Sequence, residues 1–282
     1  MDNEKAVPIQ LSQKNTADTL EWHELYNKIR QSGGAEYEKR MYEKSVHLYT
    51  LLKNASEVIE HLDGIRSSLR SGSGSILDAP NGLASIQLDF SRKLFNFLAS
   101  TAMLVDYTRA FMCKNYCETD IMESYLDLVR DQVKTDPLCL FVKELRHLGT
   151  HVCNPMQSIN ISVTREGSEV RDCFDPDGLL SQRSNWNSTT KEYINKMKAN
   201  PEARSVVGTV AEYVGKIKKL HQDIDAMLRK HHKNDILELT RLRQDHVSKY
   251  HQVLANWPIL PIETLMPPMD YLWPVSTNNI TN

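Results

Sequence analysis

The 282-residue sequence lacks the long apolar runs of a membrane protein and the charge excess of a nonspecific nucleic-acid binder. No segment approaches the roughly 18 consecutive apolar residues of a spanning helix, and residues 1–8 lack the apolar core of a secretory signal. The net charge is −2, with a pI near 6.6, so any contact with nucleic acid has to be a local patch. We therefore expect a cytoplasmic protein that has no membrane partner.

The sequence also lacks the patterns of a disulfide framework and of several common enzyme classes. Its five cysteines are an odd number for disulfide pairing, and we expect them to be reduced. Cys113 and Cys117 stand four apart, which would suit a metal, but no second cysteine pair accompanies them. There is no glycine-rich phosphate loop and no serine nucleophile elbow. The sequence predicts neither a metal nor a cofactor.

Helical periodicity dominates what is present, because apolar residues recur at three- and four-residue steps along most of the chain. This spacing predicts helices over about 17–31, 35–70, 84–117, 119–133, 137–154, 176–198, 202–229 and 236–255. Asp136 and Pro137 are the expected cap and first residue of the fifth of these helices. The alternating stretch 159–163 predicts a small hairpin at about 157–172. The predicted fold class is all-α, a helical bundle with a minor β-hairpin insertion.

The predicted domain organisation is simple. Residues 1–16 show no periodicity and are expected to form a loose arm, and residues 17–255 a single helical-bundle domain. Residues 256–282 carry five of the eleven prolines and predict an extended tail, either draped across the bundle or serving as a partner-binding strap. The heptad spacing at 206–227 favours a seam inside the bundle over a coiled-coil dimer, because about four heptads is a marginal length for a coiled coil.

The stretch 141–154 carries the candidate functional residues. Arg146, His147 and His151 interrupt an otherwise apolar helical pattern. An arginine carries a permanent positive charge whose fork matches a phosphate, and a histidine exchanges protons near neutral pH. Glu144 stands three residues before His147 and joins the candidate set. This combination predicts a site that binds a phosphate and moves a proton.

The same Arg-to-His spacing recurs elsewhere by chance. Arg241 precedes His246 at the same spacing, and Arg40 precedes His47 at a looser one. In both decoys the residue after the arginine is apolar. Only Arg146 is followed by a polar residue and by a predicted helix end, so we take 141–154 as the candidate site.

The motif Arg146-His147-x3-His151 resembles the active-site motif of the HEPN superfamily, which has an Arg, a polar residue, three to five further residues and a His at the end of a helix. The stretches 92–100 and 106–109 resemble the helix that precedes the motif in bacterial members of unknown function. The resemblance implies an antiparallel helical bundle that acts as a homodimer. It also implies a metal-independent endoribonuclease of a toxin–antitoxin or phage-defence system, with RNA as substrate and an antitoxin or regulatory protein as a further partner.

The resemblance further implies a role for each residue. His151 would be the general base that removes the ribose 2′-hydroxyl proton, and Arg146 would bind the phosphate oxygens. His147 would orient the substrate or His151, and Glu144 would set the imidazole tautomer. The products would end in a 2′,3′-cyclic phosphate and a 5′-hydroxyl.

Helix geometry sets a condition on this interpretation. At about 100° per residue, Arg146 and His151 lie roughly 140° apart around a straight helix, whereas Glu144, His147 and His151 share a face. A complete site requires either a helix that loosens at Gly149 or a second copy of the chain. Two alternatives stay open: a noncatalytic helical interaction or regulatory protein whose motif is a solvated stripe, and a His–Cys metal protein.

Overall fold

The structure is a computed structural model that describes residues 13–71, 82–151, 157–164, 167–183 and 185–256. These residues form mostly helices, together with one two-stranded sheet. The helices are α1 (Gln13–Gln31), α2 (Gly33–Arg70), α3 (Gly82–Tyr116), α4 (Asp120–Val129), α5 (Pro137–His151), α6 (Pro176–Gln182), α7 (Ser188–Ala199), α8 (Val206–His231) and α9 (Lys233–Asn256). The strands are β1 (Gln157–Thr164) and β2 (Gly167–Phe174), a π-helical turn occupies Arg130–Lys134, and a 3₁₀ turn occupies Pro201–Arg204. Among the helices of these ranges, none is long and apolar enough to cross a membrane.

The structure confirms the all-α class and the hairpin, and it corrects one predicted helix. The expected helix over 176–198 is two helices, α6 and α7, because the side chain of Asn187 accepts a hydrogen bond from the N–H of Thr190 and begins α7 anew. Residues 13–16 of the expected loose arm belong to α1. The rest of that arm, the connection at 72–81 and the proline-rich tail after Asn256 lie outside the described residues.

The chain groups into two compact units, whereas the sequence predicts one domain over 17–255. We call residues 1–37 with 234–282 the terminal unit, and residues 38–233 the central unit.

In the terminal unit, the described parts of α1 and α9 pack together. The rings of Trp22 and His246 stack with their centroids 5.1 Å apart. Gly34 is required where α2 begins, because a Cβ there would lie 2.4 Å from the carbonyl oxygen of Asp235. The buried apolar residues of α9 are Leu239 and Leu242.

The central unit contains a large apolar core. The rings of Phe97 and Tyr213 meet edge to face at 5.9 Å, and those of Phe141 and Phe174 at 5.4 Å. Each fully buried side chain of this size stabilises the fold by about 1.5–3 kcal/mol. The largest fully buried side chains are Phe90, Phe97, Phe141, Leu51, Leu62, Leu94, Leu98, Met112, Leu145, Leu148, Leu179 and Ile194.

On α3 and α8 the predicted apolar pattern and the buried face differ by one residue in places. On α3 the three- and four-residue steps of the apolar pattern run through Thr101 to Val105, but Val105 is 52% exposed and Leu104 is buried. On α8 the heptad predicts Met227, but Leu228 is the buried residue. Both shifts arise because a helix turns 100° per residue, so a three- or four-residue step drifts off the buried face within a few turns. The rest of the α8 heptad is buried in the central unit and forms the predicted seam.

The hairpin is anchored to the start of α8 by a buried carboxylate. Strands β1 and β2 pair antiparallel, with Ile161 opposite Val170. Asp172, which is 4% exposed, accepts hydrogen bonds from the backbone N–H of Val207 at 2.7 Å and from the hydroxyl of Ser205 at 3.1 Å. A carboxylate at a helix N-terminus satisfies unpaired backbone N–H groups and interacts favourably with the helix dipole.

Candidate functional site

The motif lies on α5, whose start is fixed by a predicted cap. Asp136 accepts a hydrogen bond from the backbone N–H of Cys139 at 3.0 Å, and Pro137 is the first helical residue. Lys216 donates to the other carboxylate oxygen of Asp136 at 2.8 Å. Burial acts to raise the pKa of Asp136, but the hydrogen bonds from Lys216 and Cys139 outweigh burial and hold the pKa below its ordinary value. This cap fixes the residue at which α5 begins.

The helix continues without a break through Gly149 to His151. The helix is therefore regular at Gly149, where a site formed by a single chain would need it to loosen. A regular helix places Arg146 about 140° from His151, on the other side of the buried stripe. Arg146 is half-buried and His147 is exposed. The structure describes the backbone of His151 as the last residue of α5 and does not describe its side chain.

Glu144 makes contacts that the sequence analysis does not foresee. The amide nitrogen of Asn187 donates to one of its carboxylate oxygens at 2.5 Å, and the backbone N–H of Asn187 approaches the other at 3.4 Å. Asn187 caps α7 through the N–H of Thr190. Glu144 therefore links the motif helix to the start of α7, and both of its carboxylate oxygens face Asn187.

A second arginine, which the sequence analysis does not single out, contacts the motif helix. The Nη1 of Arg183 donates to the backbone carbonyl of Glu144 at 3.3 Å. Its Nε donates to the side-chain oxygen of Asn185 at 3.0 Å, and its guanidinium lies 5.1 Å from the ring centroid of Trp186. Trp186 is itself held by a hydrogen bond to the carbonyl of Leu179 at 3.0 Å. Arg183 is thus a fixed cation on the Glu144 side of α5.

The segments of α3 that resemble the family pattern make contacts within their own helix or with α2. Arg92 pairs with Asp89 at 2.8 Å, and exposed Arg109 approaches Asp106 at 3.4 Å. The carbonyl of Asn96 accepts a hydrogen bond from Asn54 of α2 at 3.4 Å.

The histidines of the two decoy motifs pack against aromatic rings. His246 stacks on Trp22, and burial lowers its pKa. The ring of His47 lies 3.8 Å from that of Tyr107. His147, by contrast, is exposed. His147 is therefore more accessible to solvent than His47 and His246, which are half-buried.

The central unit also contains a polar cluster in which buried Lys44 and His221 meet half-exposed Asp225. The Nζ of Lys44 lies 2.6 Å from a carboxylate oxygen of Asp225 and 3.2 Å from Nδ1 of His221. Lys44 is 2% and His221 is 3% exposed. Burial, reinforced by the positive charge of Lys44, lowers the pKa of His221 to about 3.

The metal alternative finds no support in the part of the chain that the structure describes. Within those ranges, no group of three or more His, Cys, Asp or Glu side chains is arranged to hold a metal ion. Cys113 and Cys117 are exposed free thiols.

No family model matches the chain, and no curated protein or solved structure is similar enough to it to count as a match.

Proposed function

We propose that the protein is a metal-independent endoribonuclease that acts as a homodimer on cytoplasmic RNA. The observation that carries the proposal is the motif on α5. It combines the half-buried guanidinium of Arg146 with the solvent-exposed imidazole of His147 near the end of an unbroken helix. These are the residue types that bind a phosphate and transfer a proton.

The reaction uses attack of the ribose 2′-hydroxyl on the adjacent phosphate. His151 acts as general base and removes the hydroxyl proton, and Arg146 stabilises the charge that develops on the nonbridging oxygens. His147 orients the substrate. Glu144 has a supporting role, because its carboxylate oxygens accept hydrogen bonds from Asn187.

The regular helix makes the second copy necessary. Arg146 and His151 lie on opposite flanks of α5, so one chain does not bring them to the same phosphate. A twofold axis next to α5 would bring Arg146 of one subunit close to His151 of the other.

In this proposal the nuclease belongs to a toxin–antitoxin or phage-defence system, and an antitoxin or regulatory protein restrains it.

The experiment measures cleavage of RNA by the purified full-length protein in the presence of EDTA. Wild type should yield fragments with 2′,3′-cyclic phosphate ends. Arg146→Ala should lower the rate by roughly 10²–10³-fold, which corresponds to about 2.7–4 kcal/mol of transition-state stabilisation. Arg241→Ala, in the decoy pattern, is the matched control and should cleave like wild type. Intact RNA with wild type at high enzyme concentration would contradict the proposal.

A mixing experiment tests whether the site is shared. Arg146→Ala and His151→Ala subunits, each inactive alone, should regain about a quarter of the wild-type activity after subunit exchange. Half of the dimers then contain one subunit of each variant. In such a dimer one shared site has both Arg146 and His151, and the other site has neither. Absence of recovery, with exchange verified by mass spectrometry, would exclude a shared site.

A second candidate function is a noncatalytic interaction protein. The observation that favours it is a stripe of exposed apolar residues on α2, where Tyr42, Val46 and Tyr49 are 58%, 44% and 62% exposed. Their spacing places all three on one face of the helix. Intact RNA with wild type, together with stable capture of a partner that Tyr49→Ser weakens, would favour this function over the nuclease.

A further inference from the structure

The flank of α5 that carries the two histidines has a cation that does not belong to the motif. Taking Glu144 as reference, His147 and His151 lie within about 60° of it around the helix, whereas Arg146 lies about 160° away. The motif arginine is therefore on the wrong side to serve the histidines of its own chain. Arg183 contacts Glu144 and lies on the same side as the histidines.

The contact with a carbonyl oxygen defines the height of Arg183 along the helix. In an α-helix the carbonyl of residue 144 points along the axis toward the N–H of residue 148. A side chain that donates to this carbonyl therefore lies within the turn between Glu144 and Leu148, at about the level of His147. With a rise of about 1.5 Å per residue, His147 lies at about the level of the guanidinium, and His151 lies roughly one to one and a half turns further along the helix.

The surroundings of Arg183 hold its guanidinium in a fixed orientation. Its Cζ lies over the ring of Trp186, 5.1 Å from the centroid, and its Nε donates to Asn185. A guanidinium has five N–H donors, and these contacts use the Nε–H and one N–H of Nη1. A preorganised fork loses little side-chain entropy when it binds a phosphate.

We propose that Arg183 binds a phosphate of the RNA substrate next to His147 and His151 of the same subunit. The inference rests on the proposed function for the identity of the ligand. The site then contains two arginines, Arg183 from the same chain as the histidines and Arg146 from the second copy.

If Arg183 only held the helix, its substitution should act like that of any arginine that donates to backbone carbonyls. Arg204 is such an arginine and serves as the matched control. Arg204 also donates to backbone carbonyls at a helix end, those of Met197 at 2.9 Å and Lys198 at 2.7 Å. It belongs to the central unit and plays no part in the proposed site. Substituting Arg204 therefore measures what the loss of such a clamp does by itself.

The experiment measures binding separately from cleavage. The probe is a fluorescein-labelled 2′-O-methyl RNA 10-mer, which has no 2′-hydroxyl to attack, and fluorescence anisotropy gives its Kd between 50 and 300 mM salt. Arg183→Gln should weaken binding about tenfold, since one charge-assisted contact is lost. It should also reduce the slope of log K against log salt by about 0.7, as expected for one fewer phosphate contact on a single strand. Arg204→Gln should leave both quantities at their wild-type values.

A second substitution keeps the test independent of folding. Arg183→Lys retains the positive charge and loses the planar fork. Its salt slope should stay at the wild-type value while its Kd rises by less than that of Arg183→Gln. The thermal midpoint of each variant is measured alongside, to show that the folded protein is compared.

The possible outcomes separate this inference from the proposed function. If wild type cleaves RNA and Arg183→Gln binds the probe like wild type, only the role of Arg183 is overturned. If Arg183→Gln weakens binding and lowers the salt slope but wild type does not cleave RNA, the phosphate contact stands and the nuclease fails. If the Arg183→Gln and Arg204→Gln variants lose the same binding affinity and their salt slopes stay at the wild-type value, Arg183 serves only to hold the helix. A wild-type protein that does not bind the probe would overturn the inference.

Discussion

The cluster of Lys44 and His221 and the motif on α5 each bring a histidine together with a cationic side chain, and they differ in access to solvent. His221 and Lys44 are buried between α2 and α8. His147 is exposed on α5, next to half-buried Arg146. The residue types are similar, so burial rather than composition decides which of the two places can meet a substrate.

The protonation state of His221 shows what burial does to an imidazole. A lysine ammonium has only donors, so Nδ1 of His221 accepts the hydrogen bond from Lys44 and the ring is neutral with its proton on Nε2. Burial and the charge of Lys44 lower its pKa to about 3. A general base works best with a pKa near the operating pH, and His221 does not meet this condition. The cluster therefore serves to join α2 and α8.

The largest expected effect comes from breaking this cluster. Lys44→Ala leaves Asp225 and His221 without their common donor and removes a buried aliphatic chain. Because Asp225 is about half exposed and can be hydrated, we expect a loss of about 3 kcal/mol in the free energy of unfolding, at the lower end for a buried pair. Urea denaturation measures it. Lys218→Ala, at an exposed lysine of α8, is the control and should change stability by less than about 0.5 kcal/mol.

The same cluster should make stability depend on pH. The unfolded His221 has a pKa near 6.5, and the folded residue has a pKa of about 3. Between these values the unfolded chain binds a proton that the folded chain does not, so stability falls as the pH decreases below about 6.5. From pH 6.5 to 5, this contribution amounts to about 1.5 kcal/mol. Burial also lowers the pKa of His61 and His246, and these residues add to the trend in the same direction.

His221→Gln isolates this contribution, because glutamine does not titrate. The variant should be less stable than wild type at pH 7, yet it should lose less stability between pH 6.5 and 5. Parallel stability curves for the two proteins over that interval would show that His221 does not control the pH dependence.

The comparison also shows which features can be read from the sequence. The cap of α5 is local, since Asp136, Pro137 and Cys139 are neighbours in the chain, and the sequence predicts it correctly. The restart of the helix at α7 is also local, and the Asn187-Ser188 cap signal would have revealed it. Bounds such as Gly33–Arg70 and Gly82–Tyr116 agree with the predicted 35–70 and 84–117, because apolar periodicity is a property of short segments.

Contacts between distant residues were not predictable in this way. Lys44 and His221 are 177 positions apart, and Arg183 and Glu144 are 39 apart. Nothing in the local spacing of one partner specifies the other, because such pairs form only when the helices pack. For the same reason the sequence identifies the residues of the α5 motif but not the arginine that packs against it.

The smallest expected effect concerns the link between Glu144 and Asn187, which attaches the exposed motif to the rest of the central unit. Asn187→Ala removes the cap of α7 and the donor to Glu144, and should cost about 1 kcal/mol of unfolding free energy. Asn187→Asp keeps an oxygen that caps the N–H of Thr190 but places a second carboxylate against Glu144. If the contact with Glu144 contributes, the Asp variant should lose as much stability as the Ala variant and regain it when combined with Glu144→Gln. A stable Asp variant would mean that Asn187 acts through its cap alone, and that Glu144 is available for the chemistry of the motif.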